Sequence, residues 1–312
     1  MKSNEDIKLK LAPDLDFREI LTNPILDIAA RFWESDRYAA FRICYRSMRV
    51  IDDLVDDRKA GGVTVTPEER LKYAELMTSW LEGTRRREAG DDLQEELLQT
   101  IDRFHIPLWP WQRLIRAMIY DLTHSGYRSF TTFLRYAEGA AVAPASVFMH
   151  LCGVESRDGK YAAPTFDVRK AARPLAIFSY LVHIMRDFQK DHQNNLNYFS
   201  DGILRDSGIT LAELAVIANG GGISPGFRRL MRTYRGLAEF YRRKARRTID
   251  GISPVLRQRY RLSLEIIYNL YLQIFERVKP DTGVFTAEEL NPPPAQIQQT
   301  IESTLAAFQR EN

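Results

Sequence analysis

Cysteine is nearly absent: Cys44 and Cys152 are the only two in 312 residues. Both sit in apolar stretches, so they read as small buried hydrophobes rather than as a disulfide or a metal pair. Long apolar runs are lacking too. The longest stretch free of Asp, Glu, Lys and Arg, Gly139 to Val154, carries Pro144 and His150 and falls short of the ~18 to 20 apolar residues that span a bilayer. The opening MKSNEDIKLKLAPDLDF is charged throughout and has no apolar core of the secretory type, so an unprocessed, cytoplasmic chain is expected. No dinucleotide-binding fingerprint occurs, and Gly220 to Gly222 follows a helical segment and reads as a loop. No His-Asp dipeptide occurs either, which disfavours phosphohydrolases built on that pair. Repeats, low-complexity tracts and long linkers are all missing, so residues 1–312 are expected to form one domain.

What is present is helix after helix. At 45% hydrophobic and 27% charged the chain has the composition of a globular protein, and at this length it can bury roughly three quarters of its extended surface. Apolar periodicity predicts helices over 35–57, 67–82, 91–104, 107–122, 129–151, 166–191, 211–218, 227–250, 254–278 and 294–308. Thr66-Pro67-Glu68-Glu69 and Ser253-Pro254 carry start signals, with proline at the first helical position. The expected fold class is all-α.

The net charge of +3 hides an uneven distribution, with 12 Lys and Arg between Arg228 and Arg261 against Glu239 and Asp250 alone. Phe227, Leu230, Met231, Tyr234, Leu237, Tyr241 and Ala245 recur at helical spacing while Arg228, Arg232, Arg235, Arg242 and Arg246 fill another face. This basic amphipathic helix over 227–250 suits a solvated surface or a loose contact with an anionic membrane. Nucleic acid is not expected as a partner, because no stacking aromatics interleave with the basic side.

The chemistry begins at Arg49-Val-Ile-Asp-Asp-Leu-Val-Asp-Asp57. On a helix, Phe41, Cys44, Met48, Ile51 and Val55 form an apolar arc with Asp52 and Asp56 on its edge, in line with Tyr45, while Asp53 and Asp57 point further outward. Acids at a helix C-terminal end also oppose the macrodipole. A second row lies in Tyr180-Leu-Val-His-Ile-Met-Arg-Asp-Phe-Gln-Lys-Asp191, where His183, Asp187 and Asp191 are spaced by four. If the two rows face one cavity, two such charges some 6 Å apart repel by roughly 3 kcal/mol at an effective dielectric of about 20. A divalent cation with oxygen ligands, Mg²⁺ above all, would resolve that and share its shell with a phosphate-bearing substrate.

Two D-x-x-x-D helices in an all-α chain resemble those of the squalene/phytoene synthases, which join prenyl diphosphates head to head. Arg49, Asp52 and Asp56 match the first motif; His183-Ile-Met-Arg-Asp-Phe-Gln-Lys-Asp191 with Asn197-Tyr-Phe-Ser200 matches the second. Tyr136-Ala-Glu-Gly-Ala-Ala-Val-Ala-Pro-Ala145 is similar to a cavity helix, and Tyr271 to a late pocket tyrosine. The resemblance covers about residues 24–285. It implies an isoprenoid-synthase bundle around a central cavity, with Asp52, Asp56, Asp187 and Asp191 as catalytic metal ligands for Mg²⁺ or alternatively Mn²⁺. It implies that Arg49 and Arg186 hold diphosphate, that Tyr136 is catalytic, and that Tyr45, Tyr180, His183 and Tyr271 contact substrate. The implied substrates are farnesyl or geranylgeranyl diphosphate; NADPH is needed for a squalene product and not for dehydrosqualene or phytoene.

The sequence departs from the family pattern at several points. His183 stands where an asparagine ligand is usual and Tyr180 where glutamine is common. Leu196 replaces a frequent arginine, Val142 and Ala145 replace frequent glycines, Thr22-Asn-Pro-Ile replaces a serine-containing entry motif, and Gly283-Val-Phe-Thr-Ala lacks an arginine. Two other readings therefore stand beside head-to-head coupling: a terpene-synthase-like enzyme ionising one prenyl diphosphate, and a silent binding or assembly relative. Retention of all four inner aspartates opposes the last, since a scaffold gains nothing from buried acids that repel each other.

Overall fold

The computed structural model describes residues 24–311 apart from Val63, Ser125, Asp158 and Gly159. The charged N-terminal segment, with Thr22 and Asn23, lies outside the described residues.

Helices dominate, as the periodicity predicts. The order is α1 (Pro24–Ala30), α2 (Ser35–Ala60), α3 (Pro67–Arg86), α4 (Asp92–Phe104), α5 (Trp109–Asp121), α6 (Phe130–Ala137), α7 (Ala143–Gly153), α8 (Val168–Arg186) and α9 (Phe188–Gln193). There follow α10 (Asp201–Asp206), α11 (Leu211–Ala218), α12 (Pro225–Ile252), α13 (Gln258–Arg277), α14 (Ala287–Leu290) and α15 (Pro294–Glu311). A small antiparallel hairpin, β1 (Glu155–Arg157) and β2 (Lys160–Ala162), joins α7 to α8.

Capping chemistry sets many of the starts. Thr66 Oγ1 accepts from Glu69 N at 3.2 Å while the Glu69 carboxylate accepts from Thr66 N at 3.0 Å, a reciprocal cap with Pro67 at the first turn. Asp91, Ser129, Asp167, Thr210, Ser224 and Thr286 cap α4, α6, α8, α11, α12 and α14 in the simpler way. The buried side chains of α8 (Ala172, Ile177, Phe178, Leu181, Val182, Ile184, Met185) leave it little polar surface, so it sits at the centre, packed against α7, α12 and α13. The apolar cluster around it extends from Ile25 to Phe308.

One buried arginine ties the bundle across its layers. Arg37 of α2 donates to the carbonyls of Leu151 and Val154, which the end of α7 would otherwise leave unsatisfied, and its guanidinium lies 4.2 Å from the Tyr260 ring centroid.

The structure departs from the periodicity where backbone chemistry overrides it. The helix expected over 129–151 is interrupted by a π turn, Glu138–Val142. Pro144 has no N–H to give to the preceding turn, which favours the wider turn there. Gly139 lies flat on α5: a Cβ on it would meet the Arg113 carbonyl oxygen at 2.3 Å and the Ala117 Cβ at 2.5 Å. The helix expected over 166–191 breaks at Asp187 (φ −98°, ψ 6°), yet Asp187 N still bonds His183 O and Asp191 N still bonds Asp187 O, each at 2.9 Å. The spacing of the second acidic row therefore survives the break. Ser253–Val255 is a 3₁₀ turn, and α13 begins only at Gln258 because Leu256 is extended. The short elements α1, α10, α14 and the hairpin are too brief to show a period.

Gly139→Ala is expected to lower stability by about 1–3 kcal/mol through overpacking against α5, read as a reduced urea midpoint at unchanged slope.

Candidate active site

A cavity of about 490 Å³ opens between the C-terminal half of α2, the π turn and α7, α8 with α9, and α13. Its inner walls are apolar: Leu26, Met48, Leu114, Phe148, Met149, Leu175, Leu264 and Ile267. Phe148 is braced from behind by Trp33 and Phe41, with ring centroids at 4.7 and 5.5 Å. The rim is acidic. Asp52, Asp53, Asp56 and Asp57 come from α2, and Asp187 and Asp191 come from the α8–α9 break, with Lys190 and Asn194 beside them. All the residues singled out in the sequence, Tyr45, Arg49, Asp52, Asp56, Tyr136, Tyr180, His183, Arg186, Asp187, Asp191 and Tyr271, line this one chamber. Asp53 points further outward than Asp52, as expected, with its side chain 47% exposed against 25%, and pairs with Arg49 at the rim.

Each acidic row is held by an arginine of its own helix. Arg49 bonds Asp52 at 2.5 Å and also Asp53. Arg186 grips both oxygens of Asp187 at 2.6 and 2.7 Å, while His183 Nε2 lies 2.9 Å from Asp187 Oδ2. Burial pushes Asp187 up, but the Arg186 and His183 hydrogen bonds outweigh it and hold the carboxyl well below the usual range. The other acids go the opposite way. Burial, with Asp53 and Asp121 adding repulsion and Arg49 opposing, raises Asp52 to about 6. Burial, with Asp52 and Asp121 nearby, raises Asp56 to about 7. Asp191 is pushed up to about 7 by burial and by Asp187 and Asp56, so the two rows feel each other across the chamber.

Behind the rim stands a tyrosine cluster only partly legible in the sequence. Tyr136, Tyr180 and Tyr198 line the cavity with ring centroids 6.0 to 6.5 Å apart. Tyr136 Oη lies 3.4 Å from Asp121 Oδ2, and Lys59 Nζ donates to Asp121 Oδ1 at 2.8 Å. Sequence reasoning missed Asp121 and Lys59. Asp121 is buried at the last turn of α5, and its one signal is a carboxylate ending an otherwise apolar helix face. Tyr198 belongs to the quoted Asn197–Ser200 stretch but was given no role there.

The donor set suits a hard divalent cation, since the rim offers carboxylate oxygens whose mutual repulsion is only partly relieved by arginine. Among the described residues no three Asp, Glu, His or Cys side chains already converge on one point. An ion here would draw its remaining ligands from water or from a bound anion.

The sequence profile of the Squalene/phytoene synthase family matches residues 28–293. The chain belongs to that family. It is 27% identical over 175 residues to phytoene synthase 1, chloroplastic, of Arabidopsis thaliana, covering 56% of this chain and 39% of that protein. Against phytoene synthase 1, chloroplastic, of Zea mays the identity is 25% over 246 residues, 78% of this chain and 55% of the relative. The chain thus spans about half, or less, of the length of these relatives. The fold matches a dehydrosqualene synthase solved with a ligand (TM-score 0.71, 14% identity, 93% of each chain). It also matches squalene synthase HpnC from Alicyclobacillus acidocaldarius (TM-score 0.58, 15% identity, 80% of this chain and 97% of that one). These likenesses establish the all-α isoprenoid-synthase architecture.

The raised carboxyls make stability fall with pH. Asp56 and Asp191 titrate near 7 in the folded chain against an ordinary 3.8, so between about pH 4 and about pH 7 the native state binds the extra protons. Their contribution is complete below the unfolded value and is lost as pH rises through the folded one. The Tm of chelator-treated protein is expected to drop between about pH 5 and about pH 8, and Asp56→Asn to flatten that slope while raising Tm at the upper end. Each 1 kcal/mol moves Tm by roughly 1–2 °C for a chain of 312 residues; scanning calorimetry at both pH values decides it.

Proposed function

We propose that the chain joins two allylic prenyl diphosphates, farnesyl or geranylgeranyl, head to head. The observation that carries this reading is the pair of aspartate rows facing each other at the rim of one apolar chamber. Asp52, Asp56, Asp187 and Asp191 would hold Mg²⁺, which supplies the Lewis acidity that lets an allylic diphosphate ionise.

The chain's own residues do the rest. Arg49 and Arg186 present planar donor forks at the rim, and a diphosphate can replace the carboxylates they now hold. Tyr45 and Tyr271 line the chamber and, with the apolar walls, keep water from the electron-poor carbon centres. Tyr136 and Tyr180 turn aromatic rings toward the same space, and such faces stabilise cations by about 0.5–2 kcal/mol. Lys59 and Asp121 fix the Tyr136 hydroxyl from behind.

Incubation with labelled farnesyl or geranylgeranyl diphosphate, Mg²⁺, and NADPH present or omitted, followed by mass analysis of extracted hydrocarbons, is expected to give products containing two labelled chains. Products carrying one chain would reject coupling in favour of single-substrate ionisation. Asp52→Asn and Asp187→Asn are each expected to cut turnover by about a hundredfold or more with the helical content intact. Full turnover in either variant would remove the ligand roles.

A loose membrane contact belongs to the same reading, because coupled prenyl chains partition into lipid. No described helix is long and apolar enough to cross a membrane. Much of the basic charge on α12 is spent inside the molecule: Arg228 and Arg235 donate to carbonyls, Arg232 pairs with Asp281, and Arg242 and Arg246 pair with Glu239 and Glu265. Arg243 also pairs with Glu239, so the outward remainder is Lys244, which lies over the ring of Phe240 (51% exposed), and Arg247. Co-sedimentation with liposomes is expected to rise with anionic lipid and to fall in a Lys244→Glu, Arg247→Glu double variant. Binding indifferent to lipid charge would count against this contact.

A further inference from the structure

Joining two prenyl diphosphates at their heads has a proton balance of its own. Two R–CH₂–diphosphate groups that become R–CH=CH–R release two pyrophosphates and two protons, both from the head carbons. With a hydride supplied they become R–CH₂–CH₂–R, and one proton is still released. A group at the chamber must therefore take hydrogen from carbon. Arg49 and Arg186 only donate, and the four inner aspartates are committed to the ion. Behind the rim the fold holds one more carboxylate. Asp121 is buried and is not among the described residues that line the chamber, whereas Tyr136 is. The two are joined: Asp121 Oδ2 lies 3.4 Å from Tyr136 Oη.

An ionised carboxylate accepts, so the Tyr136 hydrogen points at Asp121 and leaves the phenol oxygen's lone pairs for a second partner. Burial holds this phenol well above its ordinary value, so it does not serve as a base by ionising first. It takes up a proton only by passing its own to a neighbour. Burial raises Asp121 as well, but the Lys59 ammonium, 2.8 Å from Oδ1, opposes that and favours the ionised form. Lys59 Nζ also donates to the His124 carbonyl at 3.2 Å, which fixes it beside Asp121.

We propose that Asp121 is the final acceptor of the proton lost from the head carbons, reached through Tyr136, and that Lys59 is the positioning residue that keeps Asp121 ready to receive it. The inference rests on the coupling reading above. In the transfer the C–H electron pair becomes the new carbon–carbon bond, the proton goes to Tyr136 Oη, and the phenol's own proton goes to Asp121 Oδ2. Tyr136 meets the substrate; Asp121 acts only through it, out of reach of the ion and the diphosphate.

The full chain is assayed with Mg²⁺ and a prenyl diphosphate carrying deuterium at its head carbon, and pyrophosphate and coupled hydrocarbon are both measured. In Asp121→Asn and in Tyr136→Phe, coupled product per pyrophosphate is expected to fall about a hundredfold, the lower end of what a general base contributes, with water-captured alcohol in its place. The deuterium isotope effect on coupled product is expected to be larger in both variants than in the wild type. The double variant is expected to lose no more than the worse single one, because the two groups serve one transfer. Lys59→Met is expected to share the loss and Lys59→Arg to restore the yield. Pyrophosphate and product that fall in step with no added isotope effect, or losses that add in the double variant, assign these residues to packing and overturn the relay. Wild-type products carrying one chain would defeat coupling alone. The relay is then read in the same variants as alkene per pyrophosphate: a fall supports it and an unchanged yield overturns it.

Discussion

Repulsion between carboxylates at the edge of an apolar chamber is the constraint around which the rest of this structure is arranged. Asp52, Asp56, Asp187 and Asp191 sit where water is partly excluded, and there each charge costs more than it would on an open surface. The fold answers in two ways. Arg186 neutralises Asp187, while Arg49 only partly offsets the burial that raises Asp52. Asp56 and Asp191 are left without such a partner and resist ionisation. A cation is what the uncompensated half of this arrangement lacks, and a diphosphate is what the arginines would accept in exchange.

The bundle supplies the stiffness that such an arrangement needs. α8 is buried among α7, α12 and α13 and cannot shift without disturbing the core. α2 is tied to the end of α7 through Arg37, so the first acidic row hangs from a helix clamped at its opposite end. The chamber's apolar end is aromatic and braced, with Phe148 wedged between Trp33 and Phe41. Charge is thus concentrated on one side of a cavity whose other side is a rigid hydrocarbon wall, a division suited to a molecule with an ionic head and a long apolar tail.

Long helices and the acidic rows were legible in the sequence because a periodic pattern survives over many turns. The rows follow from four-residue spacing alone, and the backbone bonds through Asp187 preserve that spacing even though the helix formally ends there. The interruption at Glu138–Val142 was only half legible: Pro144 stands in the sequence, but the contact of Gly139 with the α5 backbone does not. Asp121 and Lys59 escaped for a related reason: their meaning lies in each other and in Tyr136, and no spacing along the chain announces a contact between α2, α5 and α6. The arginines were visible as family-like positions. Arg49 latches Asp52 and Asp53 at helical spacings of three and four, which periodicity reveals, whereas Arg186 gripping its immediate neighbour Asp187 belongs to the kink, to which periodicity is blind.

The kink at Asp187 gives the two jaws of the cleft unequal construction. On one side, four acids ride on a continuous 26-residue rod, whose bending would have to be shared over many turns. On the other, Asp191 and Lys190 belong to a six-residue stub joined to its parent at a single residue outside helical geometry. That stub is held in its own right, since Phe188 is buried, α9 packs against α11 and Gln193 Nε2 donates to the Ala218 carbonyl at 3.0 Å. The two acidic rows are thus braced by different parts of the core, one along a single long helix and the other through a short helix seated on α11.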